Sequence, residues 1–352
     1  MKKNIAVLYG GRGQEHAVSL ASARAILSWL DRDKFDPLPV MITQEGDFFL
    51  CRGACVPLPD VVRPDCRMTP TFPVRLAGVS GFLDGRCILP VDAVLPCLHG
   101  DYGEDGRIQG LLDCAKIPYP GAGCTAGAVA ADKALTKAAA KSLGIPTLPW
   151  LLFSGKESED EALAAVTETF GDGTSFPALF LKPNALGSSV GASPVRKKED
   201  FSSAYRAAAR YGRVLVEPLL SRPRELEVAA LMTEEAPVLS SPGEILSGGD
   251  FYSYDEKYRT GTARISLSPT LGGETEARLF ADSLALLSFL GCEGAARVDY
   301  FLTDDGSLYF NEINTFPGFT EISLYPRLME RAGIPPKELL TKLTEAALDR
   351  RV

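Results

Sequence analysis

Residues 297–314 read Arg297-Val298-Asp299-Tyr300-Phe301-Leu302-Thr303-Asp304-Asp305-Gly306-Ser307-Leu308-Tyr309-Phe310-Asn311-Glu312-Ile313-Asn314. Two β-rich runs flank Asp305-Gly306, a strong hairpin signal. With Asp305-Gly306 as a two-residue loop, Asp304 faces Ser307. Counting back sets Asp299 opposite Glu312 and Arg297 opposite Asn314. All four then share one face, because strand side chains alternate with period two. Carboxylates opposed across a strand pair sit about 5 Å apart and repel. A hard cation relieves that repulsion, and two carboxylates with the Asn314 amide oxygen form an all-oxygen set suited to Mg²⁺. The competing expectation is a solvated edge hairpin in which Arg297 neutralises the acids. The other face, Val298, Tyr300 and Leu302 against Tyr309, Asn311 and Ile313, is mostly apolar and predicts a hairpin seated on a core.

Around this hairpin the chain has 352 residues, enough for two or three domains. A net charge of −8 gives no general nucleic-acid or anionic-membrane footprint. The first residues carry too short an apolar run for a signal peptide or membrane span and read as a β-strand. Eight cysteines without a CxxC pair, and only two histidines, argue against zinc and against a disulfide scaffold, and they suit a reducing cytoplasm.

Residues 5–9 form that strand, followed by Gly10-Gly11-Arg12-Gly13 and a helical pattern to Leu30, the opening of an α/β domain. The spacing is not the GxGxxG of dinucleotide folds. Glu15, near the helix start, reads as a capping acid. Residues 44–90 look irregular. A buried strand over 92–98 ends in His99-Gly100-Asp101-Tyr102-Gly103-Glu104-Asp105-Gly106, a loop of the kind that lines α/β sites. Pro118-Tyr119-Pro120-Gly121 marks a domain boundary. One Ala-rich helix is predicted over 126–143, with Lys133 and Lys137 solvated by position alone. Strands over 147–153 and 176–181 lead to Lys182-Pro183-Asn184-Ala185-Leu186-Gly187-Ser188-Ser189-Val190-Gly191. This loop could fold over phosphates, although it lacks P-loop order. Strands over 213–219 and 226–232 place Glu217 and Glu225 near solvent or a nucleotide. Residues 247–258 form a long aromatic loop, a candidate lid. Residues 315–324 turn into a helix whose first N–H groups can hold a carboxylate.

In this order the motifs resemble the D-alanine–D-alanine ligases of the ATP-grasp superfamily, over residues 5–331. The anchors are Gly10-Gly11 with Glu15, Val18 and Ser19; His99-Gly100 with Gly103-Glu104-Asp105-Gly106; Lys182-Pro183 with Gly187-Ser188-Ser189-Val190-Gly191; Glu256-Lys257-Tyr258; Arg297-Val298-Asp299; and Asn311-Glu312-Ile313-Asn314-Thr315 with Pro317-Gly318. One departure is Glu321-Ile322 before Ser323, where many members have Ser-His.

The resemblance implies an α/β, three-domain ATP-grasp fold. An N-terminal parallel-sheet substrate domain (1–121) would precede central (122–216) and C-terminal catalytic (217–352) α+β domains, whose antiparallel sheets sandwich ATP. It implies that Lys133, Lys182 and Lys257 meet ATP phosphates, and that Glu217 and Glu225 contact the adenine side and the ribose. Asp299, Glu312 and Asn314 would hold two Mg²⁺ or Mn²⁺. Glu15 would orient the first D-alanine's ammonium, with Val18 and His99 near that substrate. Arg297 and the Gly318 N–H would stabilise the oxyanion. Ser323 and the Leu324 region would bind the second substrate's carboxylate, and Tyr258 would bridge Glu15 and Ser188. The implied product is D-alanyl-D-alanine for peptidoglycan, made by a cytoplasmic homodimer.

Alternatives are a relative making D-alanyl-D-serine or D-alanyl-D-lactate, a dinucleotide oxidoreductase, and a silent ATP-binding subunit. The oxidoreductase lacks its ribose-binding acid, since the second strand ends in Thr43. The intact acids at 299 and 312 oppose a silent subunit. Tyr258 and Leu324 favour D-alanine at both subsites.

Overall fold

The computed structural model describes residues 1–52, 67–233, 235–246 and 264–350. The first unit holds β1 (Lys3–Gly10), α1 (His16–Trp29), β2 (Phe35–Ile42), β3 (Phe48–Arg52), β4 (Arg67–Thr71), β5 (Pro73–Leu76), β6 (Val79–Asp84), β7 (Cys87–Pro90), β8 (Ala93–Cys97) and α2 (Arg107–Ala115). Its sheet runs β4-β3-β2-β1-β8. Strands β1, β2 and β8 are parallel, whereas β3 and β4 add an antiparallel extension. Ile5, Ala6, Val7, Leu8 and Tyr9 are all buried, as a parallel strand covered on both faces requires. The described part of 44–90 is thus not irregular, because β5, β6 and β7 also form an antiparallel meander. The turn after β1 needs Gly10: its φ is +91°, and a Cβ there would meet the Ile42 carbonyl.

The second unit contains α3 (Cys124–Ala131), α4 (Lys133–Ser142), β9 (Leu151–Phe153), α5 (Glu159–Phe170), β10 (Leu179–Pro183), β11 (Ser193–Val195), α6 (Lys198–Ala209) and β12 (Val214–Pro218). The antiparallel sheet β11-β10-β12-β9 packs on α5 and α6 through Phe153, Val166, Phe201 and Tyr205. The single helix expected over 126–143 is two helices broken at Asp132. That side chain accepts from the Leu135 N–H at 3.0 Å and caps α4.

The third unit contains β13 (Arg224–Met232), β14 (Val238–Leu239), β15 (Gly243–Leu246), β16 (Arg264–Ser266), α7 (Gly273–Phe289), β17 (Gly294–Leu302), β18 (Leu308–Asn314), α8 (Leu324–Arg331) and α9 (Pro336–Asp349). Its antiparallel sheet runs β16-β15-β13-β17-β18, with β14 on β13. Period two divides β13 between two environments. Leu226, Val228 and Ala230 join the core beneath α7, whereas Ala229 and Leu231 join a different core with α8 and α9. Glu225 and Glu227 continue that second face into a cleft.

Two features cross the domain boundaries drawn from sequence. Strand β12 continues to Pro218, past residue 216, and α3 and α4 pack on the third sheet rather than the second. The last helix also returns to the first unit. Leu339, Leu340 and Leu343 of α9 share a core with Val7, Ile26 and Leu95.

The hairpin reaches its expected pairing by a different route. Thr303 N–H donates to the Ser307 carbonyl at 3.0 Å, and Gly306, at φ +83°, donates to the Thr303 carbonyl at 2.9 Å. The loop therefore spans three residues, 304–306, with glycine in the left-handed position. Leu302 pairs with Leu308 and Tyr300 with Phe310, one residue off the two-residue-loop count. A bulge between Asp299 and Tyr300 then inserts Asn311 as an unpaired residue on β18. It restores Asp299 opposite Glu312 and Arg297 opposite Asn314. Phe310 and Leu308, rather than Asn311 and Tyr309, thus fill the core beside Tyr300.

Candidate active site

A row of three acids crosses the third sheet. Glu227 pairs with Asp299, and Asp299 with Glu312, on the adjacent strands β13, β17 and β18. Arg297 grips Asp299 with two bonds, Nε to Oδ1 and Nη2 to Oδ2, each 2.7 Å. The same Nε lies 3.1 Å from Glu227 Oε2. Asn314 Nδ2 donates to Asp299 Oδ2 at 3.0 Å. Lys133 Nζ sits 3.1 Å from Glu312 Oε2 and donates to the Leu186 carbonyl at 2.9 Å. Burial works against the Arg297 charge, but Asp299 and Glu227 outweigh it and hold the guanidinium pKa well above its ordinary value.

Arg297 does neutralise acids here, yet the hairpin is not a solvated edge. Phe310 N–H bonds the Pro146 carbonyl at 2.8 Å, which covers β18. Among the described residues no three acidic, histidine or cysteine side chains already converge as an ion site. The donors present are nevertheless hard oxygens. Three carboxylates against one guanidinium and one ammonium leave one negative charge, so the set fits a divalent cation arriving with phosphate oxygens.

A second charged group lies deeper. Lys137 and Lys182 hold Glu217 at 2.7 and 2.8 Å. Lys182 also donates to Asn311 Oδ1 at 3.0 Å, a contact the bulge makes possible. Lys133 is 8% exposed and Lys137 1%, so neither is solvated. Glu217 is only 2% exposed, and its carboxylate meets lysines rather than open space. Burial opposes its charge, but the two ammoniums keep its pKa well below the carboxylate range, while burial lowers that of Lys137 against the pull of Glu217. Asn184 accepts from Ala134 N–H through Oδ1 and from Lys133 N–H through its carbonyl, each at 3.0 Å. It thereby ties the start of α4 to the end of β10, fixing Lys133 relative to Lys182. Between the two antiparallel sheets lies a cleft open to solvent, whose walls include Phe180, Lys182, Glu217, Leu219, Glu225 and Ile245. Apolar walls with a few convergent charged groups are the usual lining of a small-molecule site.

Glu15 occupies the N-cap position of α1 without a side-chain capping bond. Its carboxylate instead accepts from Ser188 Oγ, a residue of the cleft wall, so it does not cap the helix. Ser188 and Ser189 both have positive φ, 54° and 59°, so the loop that delivers this hydroxyl is strained. Gly100 (φ +64°) leaves room here, since a Cβ would run into the Glu15 carboxylate. His99 is buried, which lowers its pKa. Nδ1–H donating to the Phe316 carbonyl (3.2 Å) and Nε2 accepting from Ser22 Oγ (2.9 Å) is the consistent neutral tautomer. Glu104 accepts from Gly100 N–H at 2.7 Å and Phe316 N–H at 3.0 Å. Burial, then the Glu15 charge, raise its pKa to about 8.

Val18 lies half-buried on the first turn of α1. Gly318 is packed by Ser323, whose Oγ accepts from Thr320 N–H at 3.1 Å. Leu324 turns its side chain into the core against Gly243, so what it can offer a ligand is its N–H at the start of α8. Residues 247–258, with Lys257 and Tyr258, lie outside the described residues.

Sequence reasoning gives no role to Glu227, and none to Lys137, Glu104 or Asn311 beyond a solvated lysine, a loop acid and a residue of the hairpin's other face. Glu227 carries a partial signal, since it stands two residues after Glu225 and shares its strand face, but its place in the acid row follows only from the β13–β17 pairing. Lys137, one helical turn after Lys133, carried a weaker signal. Asn311 was masked by the bulge.

Comparison with known proteins matches this geometry. Residues 4–122 match the family described as D-ala D-ala ligase N-terminus, and residues 139–345 the D-ala D-ala ligase C-terminus. A D-alanine–D-alanine ligase from Deinococcus radiodurans is 39% identical over all of both chains. One from Chlorobium limicola is 38% identical over 99% of this chain and 98% of its own. Among solved structures, the D-alanine–D-alanine ligase from Coxiella burnetii superposes with TM-score 0.85 at 32% identity, covering 99% of this chain and 95% of that one. The VanG D-Ala:D-Ser ligase from Enterococcus faecalis gives 0.86 at 31% identity, covering 99% and 100%. The fold therefore does not discriminate the second substrate. With Glu15 on Ser188, an acid row within a lysine-lined cleft between antiparallel sheets, and both halves of the sequence matched in order, the chain belongs to the D-alanine–D-alanine ligase family of ATP-grasp enzymes.

Proposed function

We propose that the protein joins two D-alanines to D-alanyl-D-alanine for peptidoglycan, with ATP converted to ADP and phosphate. The cleft carries this reading: Lys133, Lys182 and the acid row line it together with Ser188, whose Oγ donates to Glu15, so groups suited to phosphate stand beside an acid suited to an ammonium. A carboxylate is a poor electrophile, and taking the γ-phosphoryl group makes it an acyl phosphate with a good leaving group. Lys133 and Lys182, with Lys257, meet the phosphates. Glu217 holds Lys182 in place, and Glu225 faces the ribose. Mg²⁺, held by Asp299, Glu312 and Asn314, would neutralise charge during the transfer. Glu15 takes the first ammonium, with Val18 and His99 lining that subsite. Arg297 and the Gly318 N–H meet the oxyanion formed when the second amine attacks. Ser323 and the Leu324 N–H receive the second carboxylate. Tyr258 and residues 247–258 close the site against water. We further propose a cytoplasmic homodimer, with the substrate unit ending near residue 121. The deciding assay is ADP release from ATP and Mg²⁺ with and without D-alanine; no D-alanine dependence would remove the ligase reading.

D-Serine is expected to be a poor second substrate and D-lactate nearly inert. The Leu324 side chain is committed to the core, so this position offers an added hydroxyl no partner. An unmet buried hydroxyl costs about 1–3 kcal/mol, roughly 5- to 150-fold in discrimination. Supplying D-alanine with equal D-serine or D-lactate, and weighing the products by mass spectrometry, measures this. A mixed product in majority would reassign the second substrate.

Affinity for the first D-alanine is expected to rise with pH and level off above about 8. The Glu15 charge contributes to the raised Glu104 pKa of about 8. A bound ammonium beside Glu15 cancels that charge, lowers the Glu104 pKa and releases a proton on binding. Proton-releasing binding tightens as pH rises toward the free-state pKa. Calorimetry in buffers of different ionisation enthalpy reads the proton directly, and pH-independent affinity without proton release would exclude the linkage.

A further inference from the structure

We propose that Glu227 is a positioning residue: it receives the Arg297 ion pair when metal-bound nucleotide claims Asp299, which couples nucleotide loading to placement of the Arg297 guanidinium. The inference rests on the ligase reading above and on the residues it gives to the metal. Asp299 accepts three hydrogen bonds, two from Arg297 and one from Asn314, of the roughly four a carboxylate can take. A divalent cation on the remaining lone pair repels the guanidinium beside it and so weakens the Arg297 pair. Releasing a partly buried guanidinium with no other acceptor would leave it unpaired, which is costly.

Glu227 is placed to prevent that. It is buried, it lies directly across from Asp299, and its Oε2 is 3.1 Å from the same Nε that donates to Asp299 at 2.7 Å. The Nε–H donates to Asp299, the proposed metal ligand, while Glu227 Oε2, outside that set, stands at ion-pair distance from the same nitrogen without receiving that hydrogen. A small shift of the guanidinium exchanges one acceptor for the other. The packing gives Glu227 no apolar reason to be there. The next residue on its face, Ala229, is core, and a buried carboxylate at the margin of a core is retained only against a desolvation cost.

The test is a double-mutant cycle read by binding: Mn²⁺ titrated into protein with the non-hydrolysable ATP analogue AMP-PNP, followed by electron paramagnetic resonance. Glu227→Gln is expected to weaken Mn²⁺ about tenfold, within the range of coupled neighbours, because Arg297 then keeps Asp299. In an Arg297→Gln background, Glu227→Gln is expected to change nothing. Equal weakening in both backgrounds would mean that Glu227 acts only as a distant charge, and it would overturn the exchange; so would no weakening in either. Wild-type protein supplies a second check, in which a variant serves only to assign the signal. The Arg297 Nε–H signal of ¹⁵N-arginine-labelled protein, assigned by its loss in Arg297→Lys, is expected to move when Mg²⁺ is added to the AMP-PNP complex. An unmoved signal would overturn the proposal. D-alanine-dependent ADP release by the wild type tests the ligase reading separately, so either can fail alone. A wild type that binds no Mn²⁺ beyond nucleotide in solution would remove the metal assignment, and this inference with it.

Discussion

Asp299→Asn and Glu312→Gln are each expected to lower turnover by roughly 10²–10³-fold, the scale of losing one preorganised electrostatic group at a reacting phosphate or oxyanion. Each keeps shape and removes charge. Asp299→Asn also takes from Arg297 its bidentate partner, and Glu312→Gln frees Lys133 from its ion pair. Both residues sit at the cleft margin of β17 and β18, while the core beneath is made by Val298, Tyr300, Phe310 and Ile313, so the fold should survive. The measurement is ADP release across a Mg²⁺ titration, with circular dichroism beside it. Near-normal turnover in both variants would remove these residues from the metal site.

Glu217→Gln is expected to destabilise the protein by about 3–5 kcal/mol at neutral pH, the cost of leaving a buried charge without its partner. Lys137 and Lys182 both meet this one carboxylate, and Lys137 has almost no contact with water. The pH dependence gives the sign. Without Glu217 the folded-state pKa of Lys137 falls further below its unfolded value. A depressed ammonium pKa destabilises the fold at low pH, and the penalty fades as pH rises through the range between the two values toward about 10. Thermal melts of the variant and wild type at pH 6 and 9 should therefore differ more at pH 6. A variant as stable as wild type at pH 6 would show that the triad is not an ion-pair network. Affinity for ATP is expected to fall as well, because Lys182 loses the group that aims it.

The sequence made the acid row visible only in part, and for traceable reasons. Two adjacent strands gave Asp299 and Glu312 through the hairpin count. Glu227 required recognising that β13, which starts seventy residues earlier, pairs with β17. No local periodicity supplies that. The register itself came out right through two departures that cancel, a longer turn and the Asn311 bulge, so the same count misplaced Tyr309 and Phe310. Lys137 and Glu217 were read as solvated, or as possible nucleotide contacts, because local sequence shows charge but not burial. Their pairing forms only where α4 meets β12 across the sheet boundary. Glu15 looked like a cap because the first turn of a helix favours acids. Only the loop carrying Ser188, far along the chain, reveals what that carboxylate faces. The break at Asp132 was legible in principle, since an aspartate three residues before Leu135 can cap a helix, but an alanine-rich run hides such a stop.

The return of α9 to the first unit bears on how the protein is made. One face of the parallel sheet packs against α1 and α9 together, and the other against α2. A ribosome releases β1, α1, β2 and β8 long before Leu339, Leu340 and Leu343 exist. Until then the nascent unit carries an uncovered apolar stripe where those leucines will lie, each worth about 1.5–3 kcal/mol when buried. Completion of this unit is thereby deferred until α9 has been made, so segments made well before it are among the last to become fully native, and their unfinished face is a natural client for a chaperone.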